Sequence, residues 1–215
     1  MPEVLLSARR VARRFGRRVV LEPIDLDLAE GEVVALGGPN GAGKSTLLAV
    51  LAGALAPSGG EVEAANPARI GWMPQQPALY RRLTPRENLE LFARLAGLYE
   101  PGAAVDRALE AVGLESEKRR TADLSVGNVQ RLNLAIGLLG EPDVLLLDEP
   151  TASLDVAHRQ RLWRLVDGLR ERGGAVLFAT HNLEEARRAA DRLLVLQEGA
   201  VLYEGSPGGF REDVA

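Results

Sequence analysis

The feature that most constrains the fold of this chain is a glycine-rich loop, Gly-Pro-Asn-Gly-Ala-Gly-Lys-Ser, at residues 38–45. It matches the phosphate-binding pattern of Gly, four variable residues, Gly, Lys and then Ser or Thr. The apolar residues 33–36 precede the loop, and the helix-forming residues 46–52 follow it. We therefore predict a buried strand, a tight turn and a helix, which is the context in which such a loop binds phosphate groups.

The residue types of the loop explain how it would bind phosphate. Glycines let backbone N–H groups approach the phosphate oxygens, and the start of the following helix adds unpaired donors and a positive dipole end. Lys44 brings a positive charge to the β- and γ-phosphates, and the Ser45 hydroxyl is suited to bind Mg²⁺. The alternative, a glycine turn that happens to contain a lysine, leaves the matching flanks unexplained. The residues predicted to bind the nucleotide phosphates are Gly38, Pro39, Asn40, Gly41, Ala42, Gly43, Lys44, Ser45 and Thr46.

Composition and hydropathy narrow the class of protein. The 215 residues carry a net charge of −4, which does not favour nucleic acid or anionic lipid as a partner. There is no cysteine, which excludes disulfides, iron–sulfur clusters and thiol catalysis, and with only His158 and His181 we expect no histidine-built zinc site. No apolar run approaches the ~20 residues of a membrane span, and a signal peptide is not evident. We therefore predict a cytoplasmic chain without direct membrane insertion.

Alternating apolar runs and amphipathic segments predict an α/β fold. The continuous apolar runs at 144–147 and 175–179 are typical of parallel strands buried on both faces. The period-two pattern at 24–28 predicts a half-buried antiparallel strand, with 4–6 and 19–21 as its neighbours. Caps at Thr84, Ser125 and Asn182 predict helix starts. The predicted helices run from 85 to near 97, and over 104–112, 129–139 and 156–172, with another after 182.

Arginine is dense near the N-terminus. The favoured interpretation is a solvated strand face, and a binding patch is the alternative. The residues concerned are Arg9, Arg10, Arg13, Arg14, Arg17 and Arg18.

Charged side chains follow two of the predicted buried strands. Asp148 and Glu149 come at the end of the run 144–147, and His181 follows the run 175–179. Because active groups gather at the carboxyl ends of parallel strands, we expect these side chains beside the glycine-rich loop. Asp148 is predicted to hold Mg²⁺, Glu149 to polarise a water and His181 to contact the γ-phosphate, with helix N-capping as the alternative role of the acidic pair.

Together with further motifs, this order of residues resembles the ATP-binding subunits of ABC transporters over nearly the whole chain. Phe15 matches the aromatic residue that stacks on adenine, and Gln75 matches the glutamine that senses Mg²⁺ and couples to the membrane partner. Residues 124–128, Leu-Ser-Val-Gly-Asn, resemble the signature Leu-Ser-Gly-Gly-Gln, and residues 152–155 resemble the D-loop. His181 matches the switch histidine.

The resemblance implies roles for individual residues. Val126 and Asn128 replace the usual Gly and Gln of the signature, whereas Ser125 and Gly127 are kept. The implied catalytic residues are Glu149, His181, Lys44 and Gln75, and the implied metal ligands are Ser45, Gln75 and Asp148. Beyond the glycine-rich loop, nucleotide contacts are implied for Phe15, Ser125, Gly127, Asn128 and Asp155.

The resemblance also implies the architecture, a single ABC ATPase domain over residues 1–215. The fold would be a P-loop NTPase core with a mainly parallel sheet flanked by helices, an N-terminal antiparallel β subdomain and an inserted α-helical subdomain. The core with its antiparallel lobe would span 1–74 and 141–215, and the helical lobe with the signature 75–140.

The implied mechanism is a dimer that sandwiches ATP and Mg²⁺ between the glycine-rich loop of one subunit and the signature of the other. The implied partners are a second ATPase subunit, in a homodimer or heterodimer, and integral membrane permease subunits that hold the chain at the inner face of the cell membrane. Residues 77–98 are similar to the branch serving multidrug and antibiotic exporters, with haem-type export or another branch as alternatives.

Two other classes of function compete with a transporter subunit. One is a soluble ABC-type ATPase that remodels or assembles a macromolecular complex. The other, a GTPase or small-molecule kinase, is disfavoured because the chain has no Asn-Lys-x-Asp guanine-reading motif.

Overall fold

The computed structural model describes residues 2–66 and 69–211, which form two sheets and the helices around them. The strands are β1 Val4–Phe15, β2 Arg18–Ala29, β3 Val33–Gly37, β4 Gly59–Ala64, β5 Ile70–Met73, β6 Val144–Asp148, β7 Ala175–Ala179, β8 Arg192–Gln197 and β9 Ala200–Gly205. The α-helices are α1 Lys44–Leu51, α2 Pro85–Leu95, α3 Gly102–Val112, α4 Val126–Leu138, α5 Val156–Glu171 and α6 Leu183–Ala189. Within these described residues, none of the helices has both the length and the apolar character of a membrane span.

The larger sheet has six strands in the order β5-β6-β7-β3-β8-β9. Neighbours from β5 to β8 are parallel, and β9 pairs antiparallel with β8. Every residue of β3, β6 and β7 is buried, because apolar clusters cover both faces of the sheet. Val33 and Ala35 belong to one cluster, and Val34 and Leu36 to the other. Burial of this apolar surface stabilises the fold, and the predicted mainly parallel sheet is confirmed.

The smaller sheet is antiparallel and has the order β2-β1-β4. It differs from the prediction in one respect, since residues 19–21 and 24–28 belong to the single strand β2 and are not neighbouring strands. Pro23 lies between them and has no N–H to donate, and the pairing with β1 is irregular around it. Because β2 is an edge strand of its sheet, it tolerates this proline and continues through it.

Three α-helices lie between β5 and β6, and the caps predicted for α2 and α4 are present. Thr84 and Glu87 form a capping box at the start of α2, with Pro85 at its first position. The Ser125 hydroxyl accepts the Asn128 N–H at the start of α4. Residues of α2, α3 and α4 share the apolar cluster of Val33, so these helices pack on one face of the larger sheet.

Asn88 of α2 holds the segment that leads from β5 into this helical region. Its side chain is fully buried, and it accepts the Tyr80 N–H at 2.9 Å. The amide group donates to the Tyr80 carbonyl at 3.1 Å, to the Thr84 carbonyl at 3.0 Å and to the Thr121 hydroxyl at 3.0 Å. One side chain therefore ties the loop after Gln75 to the turn that precedes α4.

Replacement of Asn88 by alanine is expected to lower the free energy of unfolding by about 1–3 kcal/mol, because it leaves buried polar partners without hydrogen bonds. Urea unfolding followed by circular dichroism measures the loss. Arg94→Ala, on the exposed side of the same helix, is the matched control and should stay within about 0.5 kcal/mol of the parent. Equal stability of the Asn88→Ala variant and the parent would show that the hydrogen bonds of Asn88 do not hold the loop after Gln75 in place.

Candidate functional site

The carboxyl ends of the central parallel strands bring the predicted site residues together. The glycine-rich loop follows β3, Asp148 ends β6 and Glu149 comes next, and His181 follows β7, which lies between the other two strands in the sheet. A cleft of about 540 Å³ opens at this edge. Its lining consists of Phe15, Arg18, Val20, Asn40, Gly41, Gly43, Lys44, Ser45, Thr46, Gln75, Glu149 and His181. The structure therefore places residues 40, 41 and 43–46 of the loop, Glu149, Gln75, His181 and Phe15 in one cleft, whereas Gly38, Pro39, Ala42 and Asp148 are not part of its lining.

The backbone of the loop requires glycine at its first position. Gly38 has φ 130°, and a Cβ there would lie 2.2 Å from the Leu196 carbonyl oxygen at the end of β8. Gly41 also has a positive φ, of 83°, but a Cβ there would meet no described atom within 4 Å. The first glycine is thus required by a close approach of two backbones, and the second by backbone conformation alone.

Lys44 is the first residue of α1 and is almost fully buried, with 6% of its surface exposed. Its ammonium donates to the Gly38 carbonyl at 2.7 Å and to the Pro39 carbonyl at 3.0 Å. Burial lowers the pKa of Lys44, and the nearby carboxylates of Glu149 and Asp148 oppose that shift. The charge is therefore held over the loop by two neutral acceptors, in a place where a phosphate would be a stronger partner.

Asp148 is buried beneath the cleft and is only 3% exposed. Burial raises the pKa of Asp148, while a hydrogen bond from the Ser45 hydroxyl and another from the Gln75 backbone N–H lower it. Ser45 and Gln75 therefore lie near the Asp148 carboxylate, although Gln75 approaches it through its backbone N–H and not through its side chain. No cluster of three or more acidic or histidine side chains suited to a metal occurs in the described parts of the chain. A hydroxyl and a carboxylate fit Mg²⁺, which takes few protein oxygens and completes its shell with water and phosphate.

Glu149 has a strained backbone, with φ 49° in the left-handed region. Its N–H donates to the Ala179 carbonyl at 3.1 Å, so the residue is held against the end of β7. Gln130 of α4 donates to the Glu149 carbonyl at 3.4 Å. The carboxylate Oε1 lies 3.2 Å from His181 Nδ1. The acid and the histidine are therefore in direct contact, and the strain is located at the acid itself.

The signature and the D-loop lie outside the cleft of the same copy. Ser125 caps α4, and Asp155 caps α5 by accepting the His158 N–H at 2.9 Å. The two segments touch each other, since a Cβ at Gly127 would lie 3.2 Å from the Ser153 carbonyl oxygen. Within one copy, none of Ser125, Gly127, Asn128 and Asp155 lines the cleft, and the signature lies against the D-loop at Gly127 and Ser153.

Two apolar side chains are exposed beside these segments. Val126 is 69% exposed, and Val156, the first residue of α5, is 72% exposed. The side-chain Oδ1 of Asn128 accepts a hydrogen bond from the Arg131 guanidinium, and its side-chain Nδ2 lies 3.5 Å from the Glu117 carboxylate. The residue that replaces the usual glutamine is thus held within its own copy.

Sequence reasoning did not identify Arg18 and Val20, which also line the cleft. A signal for Arg18 was present, because Phe15 pairs with Arg18 across the hairpin between β1 and β2. A residue opposite the predicted adenine contact is expected to share its surroundings.

Comparisons with known proteins agree with this geometry. A family model described as "ABC transporter" matches residues 21–152. The chain is 38% identical to the Nod factor export ATP-binding protein I of Paraburkholderia xenovorans (strain LB400), over 98% of this chain and 73% of that protein. It is also 38% identical to a daunorubicin resistance ATP-binding protein of Streptomyces coeruleorubidus, over 100% of this chain and 74% of that protein.

Solved structures share the fold. A structure described as the ATP binding subunit of an ABC transporter has a TM-score of 0.84 at 29% identity and covers 94% of this chain and 90% of its own. A dimeric ATP-binding cassette in a post-hydrolysis state, bound to ADP and Pi, has a TM-score of 0.85 at 28% identity, over 96% and 100% of the two chains.

Two glycine substitutions test the close approach in the loop. Gly41→Ala is expected to cost about 1 kcal/mol of unfolding free energy from backbone strain alone. Gly38→Ala adds a clash with the Leu196 carbonyl and is expected to cost about 3 kcal/mol or more. Urea unfolding without nucleotide measures both. Equal losses in the two variants would contradict the close approach.

Proposed function

Because this chain belongs to the ABC transporter family and is one of its ATP-binding subunits, we propose that it hydrolyses ATP to power export by membrane partner subunits. The observation that carries the proposal is the cleft that Lys44, Glu149 and His181 share at the carboxyl ends of the parallel strands. One of the two relatives is named for export and the other for drug resistance, and both names support export as the direction of transport.

We assign substrate binding to three parts of the cleft. The N–H groups of the glycine-rich loop and the Lys44 ammonium bind the phosphates. Phe15, which is half exposed at the end of β1, offers a ring face to adenine. Ser45, Asp148 and Gln75 would hold Mg²⁺, which would neutralise charge on the phosphates.

The hydrolytic step rests on Glu149 and His181. The Glu149 carboxylate accepts a hydrogen bond from a water and aligns it for in-line attack on the γ-phosphorus. A bond forms from the water oxygen to the γ-phosphorus as the bond to the bridging oxygen breaks, Glu149 takes the proton that the water loses, and the products are ADP and phosphate. His181, beside Glu149, contacts the γ-phosphoryl oxygens, and Lys44 balances the charge that shifts toward the leaving ADP.

We further propose that the site is completed by a second ATPase subunit. Ser125, Gly127, Asn128 and Asp155 lie outside their own cleft and would contact the nucleotide held by the partner subunit. The dimeric ATP-binding cassette among the similar structures supports this arrangement. ATP would then favour the closed pair because it touches both surfaces, and hydrolysis would release it.

The division into lobes follows from this mechanism as a proposal. Residues 75–140 would act as a helical lobe that transmits motion to the permease subunits, and residues 1–74 and 141–215 as the core. The chain would work at the cytoplasmic face of the membrane, held there by its partners. The named relatives are longer than this chain, which spans 73–74% of their length.

Glu149→Gln is expected to keep ATP binding and to lower turnover by about 100-fold or more, because only the group that aligns the water is changed. With ATP and Mg²⁺ the variant should accumulate as a nucleotide-held dimer, measured by light scattering. Glu171→Gln, at an exposed position at the end of α5, is the control for a charge loss elsewhere. Hydrolysis by Glu149→Gln at the parent rate would overturn the assignment of this carboxylate.

The alternative class, a soluble ATPase that remodels a macromolecular complex, predicts different partners. A transporter subunit is expected to co-purify from a solubilised membrane fraction with an integral membrane protein, recognised by several spans of roughly 20 apolar residues. A Tyr80→Arg variant, altered at an exposed aromatic residue near Gln75, should retain less of that protein. Co-purification with only non-membrane partners would favour the remodelling function.

A further inference from the structure

Arg13 stands apart from the other arginines of the N-terminal segment because it stacks on an aromatic ring. Its guanidinium carbon lies 4.5 Å from the centre of the Phe15 ring. The two residues are two positions apart on β1, and alternate residues of a strand lie on the same face. A cation this close to the centroid of a ring is within the range of a cation–π interaction.

A second contact holds the guanidinium in place. Arg13 Nη1 donates to the Ala56 carbonyl at 2.7 Å, and Ala56 lies in the segment that connects α1 with β4. Arg13 Nε is buried and has no hydrogen-bond partner among the described residues. The guanidinium is thus partly removed from water, where its attraction to the ring is stronger than at a fully exposed site.

The contact leaves Phe15 with one covered face and one open face. Phe15 lines the nucleotide cleft and is 48% exposed, so its ring is covered by Arg13 and still open to the cleft. An aromatic ring that is fixed before binding loses less rotational freedom when a second ring stacks on it.

We propose that Arg13 is a positioning residue for the nucleotide base, which holds Phe15 as the middle layer of a guanidinium–phenyl–purine stack. This inference rests on the proposed function, in which Phe15 contacts adenine. The bond to the Ala56 carbonyl attaches the guanidinium outside β1, which restricts the position of the group that covers Phe15.

The neighbouring arginines make contacts of other kinds. Arg9 pairs with Asp27 at 2.7 Å, and the Arg10 backbone N–H donates to Asp25 at 2.7 Å. Arg17 lies exposed in the turn between β1 and β2. Arg18 lines the cleft, but the ring contact with Phe15 is made by Arg13.

The test compares binding of ATP with binding of inorganic tripolyphosphate, which lacks a base, by isothermal titration calorimetry with Mg²⁺. Four proteins form a double-mutant cycle: the parent, Arg13→Ala, Phe15→Ala and the double variant. Arg17→Ala is the matched control for loss of one positive charge in the same hairpin. Steady-state hydrolysis by the same proteins separates KM from kcat.

Phe15→Ala is expected to weaken ATP binding about tenfold, because it removes the aromatic ring on which the base stacks. Arg13→Ala is expected to weaken ATP binding about two- to fivefold, the range of a cation–π contact. It should raise KM by the same factor and leave kcat unchanged, because binding of the base is uniform through the reaction. Tripolyphosphate affinity should not change in either variant, which also shows that the fold is intact. In the Phe15→Ala background, Arg13→Ala should have no further effect.

The measurements distinguish a failure of the proposed role of Arg13 from a failure of the adenine contact of Phe15. If Arg13→Ala weakens tripolyphosphate as much as ATP, or has its full effect without Phe15, it acts as a charge or on the fold and the inference is wrong. If Arg13→Ala binds ATP like the parent while Phe15→Ala does not, the inference also fails and the adenine contact stands. If Phe15→Ala binds ATP like the parent, the base assignment itself fails.

Discussion

The site depends on the close contact between the glycine-rich loop and the turn that joins β8 to β9. Gly38 lies against the Leu196 carbonyl, and the Gly199 N–H donates to the Ala42 carbonyl at 3.1 Å. The Gly199 carbonyl in turn accepts the Glu22 N–H at 2.9 Å, which joins the same turn to β2. One turn therefore positions the glycine-rich loop against the antiparallel sheet that carries Phe15.

Two buried charges of opposite sign lie under this loop, and each is in a place that disfavours its charged form. Burial lowers the pKa of Lys44 and raises the pKa of Asp148. Their mutual attraction opposes both shifts but does not cancel them. Such opposed shifts at the edge of a cleft are typical of functional sites, since a phosphate and a metal ion would supply the missing counter-charges.

Local sequence patterns were sufficient for much of the fold and for the core of the site. The capping box at Thr84 and the buried runs that form β6 and β7 depend on neighbouring residues, and the structure confirms them. The continuity of β2 through Pro23 depends on its edge position, which only the sheet order reveals. The stacking of Arg13 depends on three-dimensional placement, and the roles of Ser125 and Asp155 stay predictions because they require a second copy.

The two carbonyl contacts of Lys44 have a kinetic consequence. A glycine-rich segment would ordinarily be free to sample many conformations, and a ligand would have to restrict them on arrival. Here the ammonium joins Gly38 and Pro39 to the first turn of α1, so the backbone is ordered when the chain folds. When a nucleotide binds, the Lys44 ammonium has only to exchange its two carbonyl acceptors for phosphate oxygens. The backbone of the loop does not have to find its bound conformation, which favours fast association.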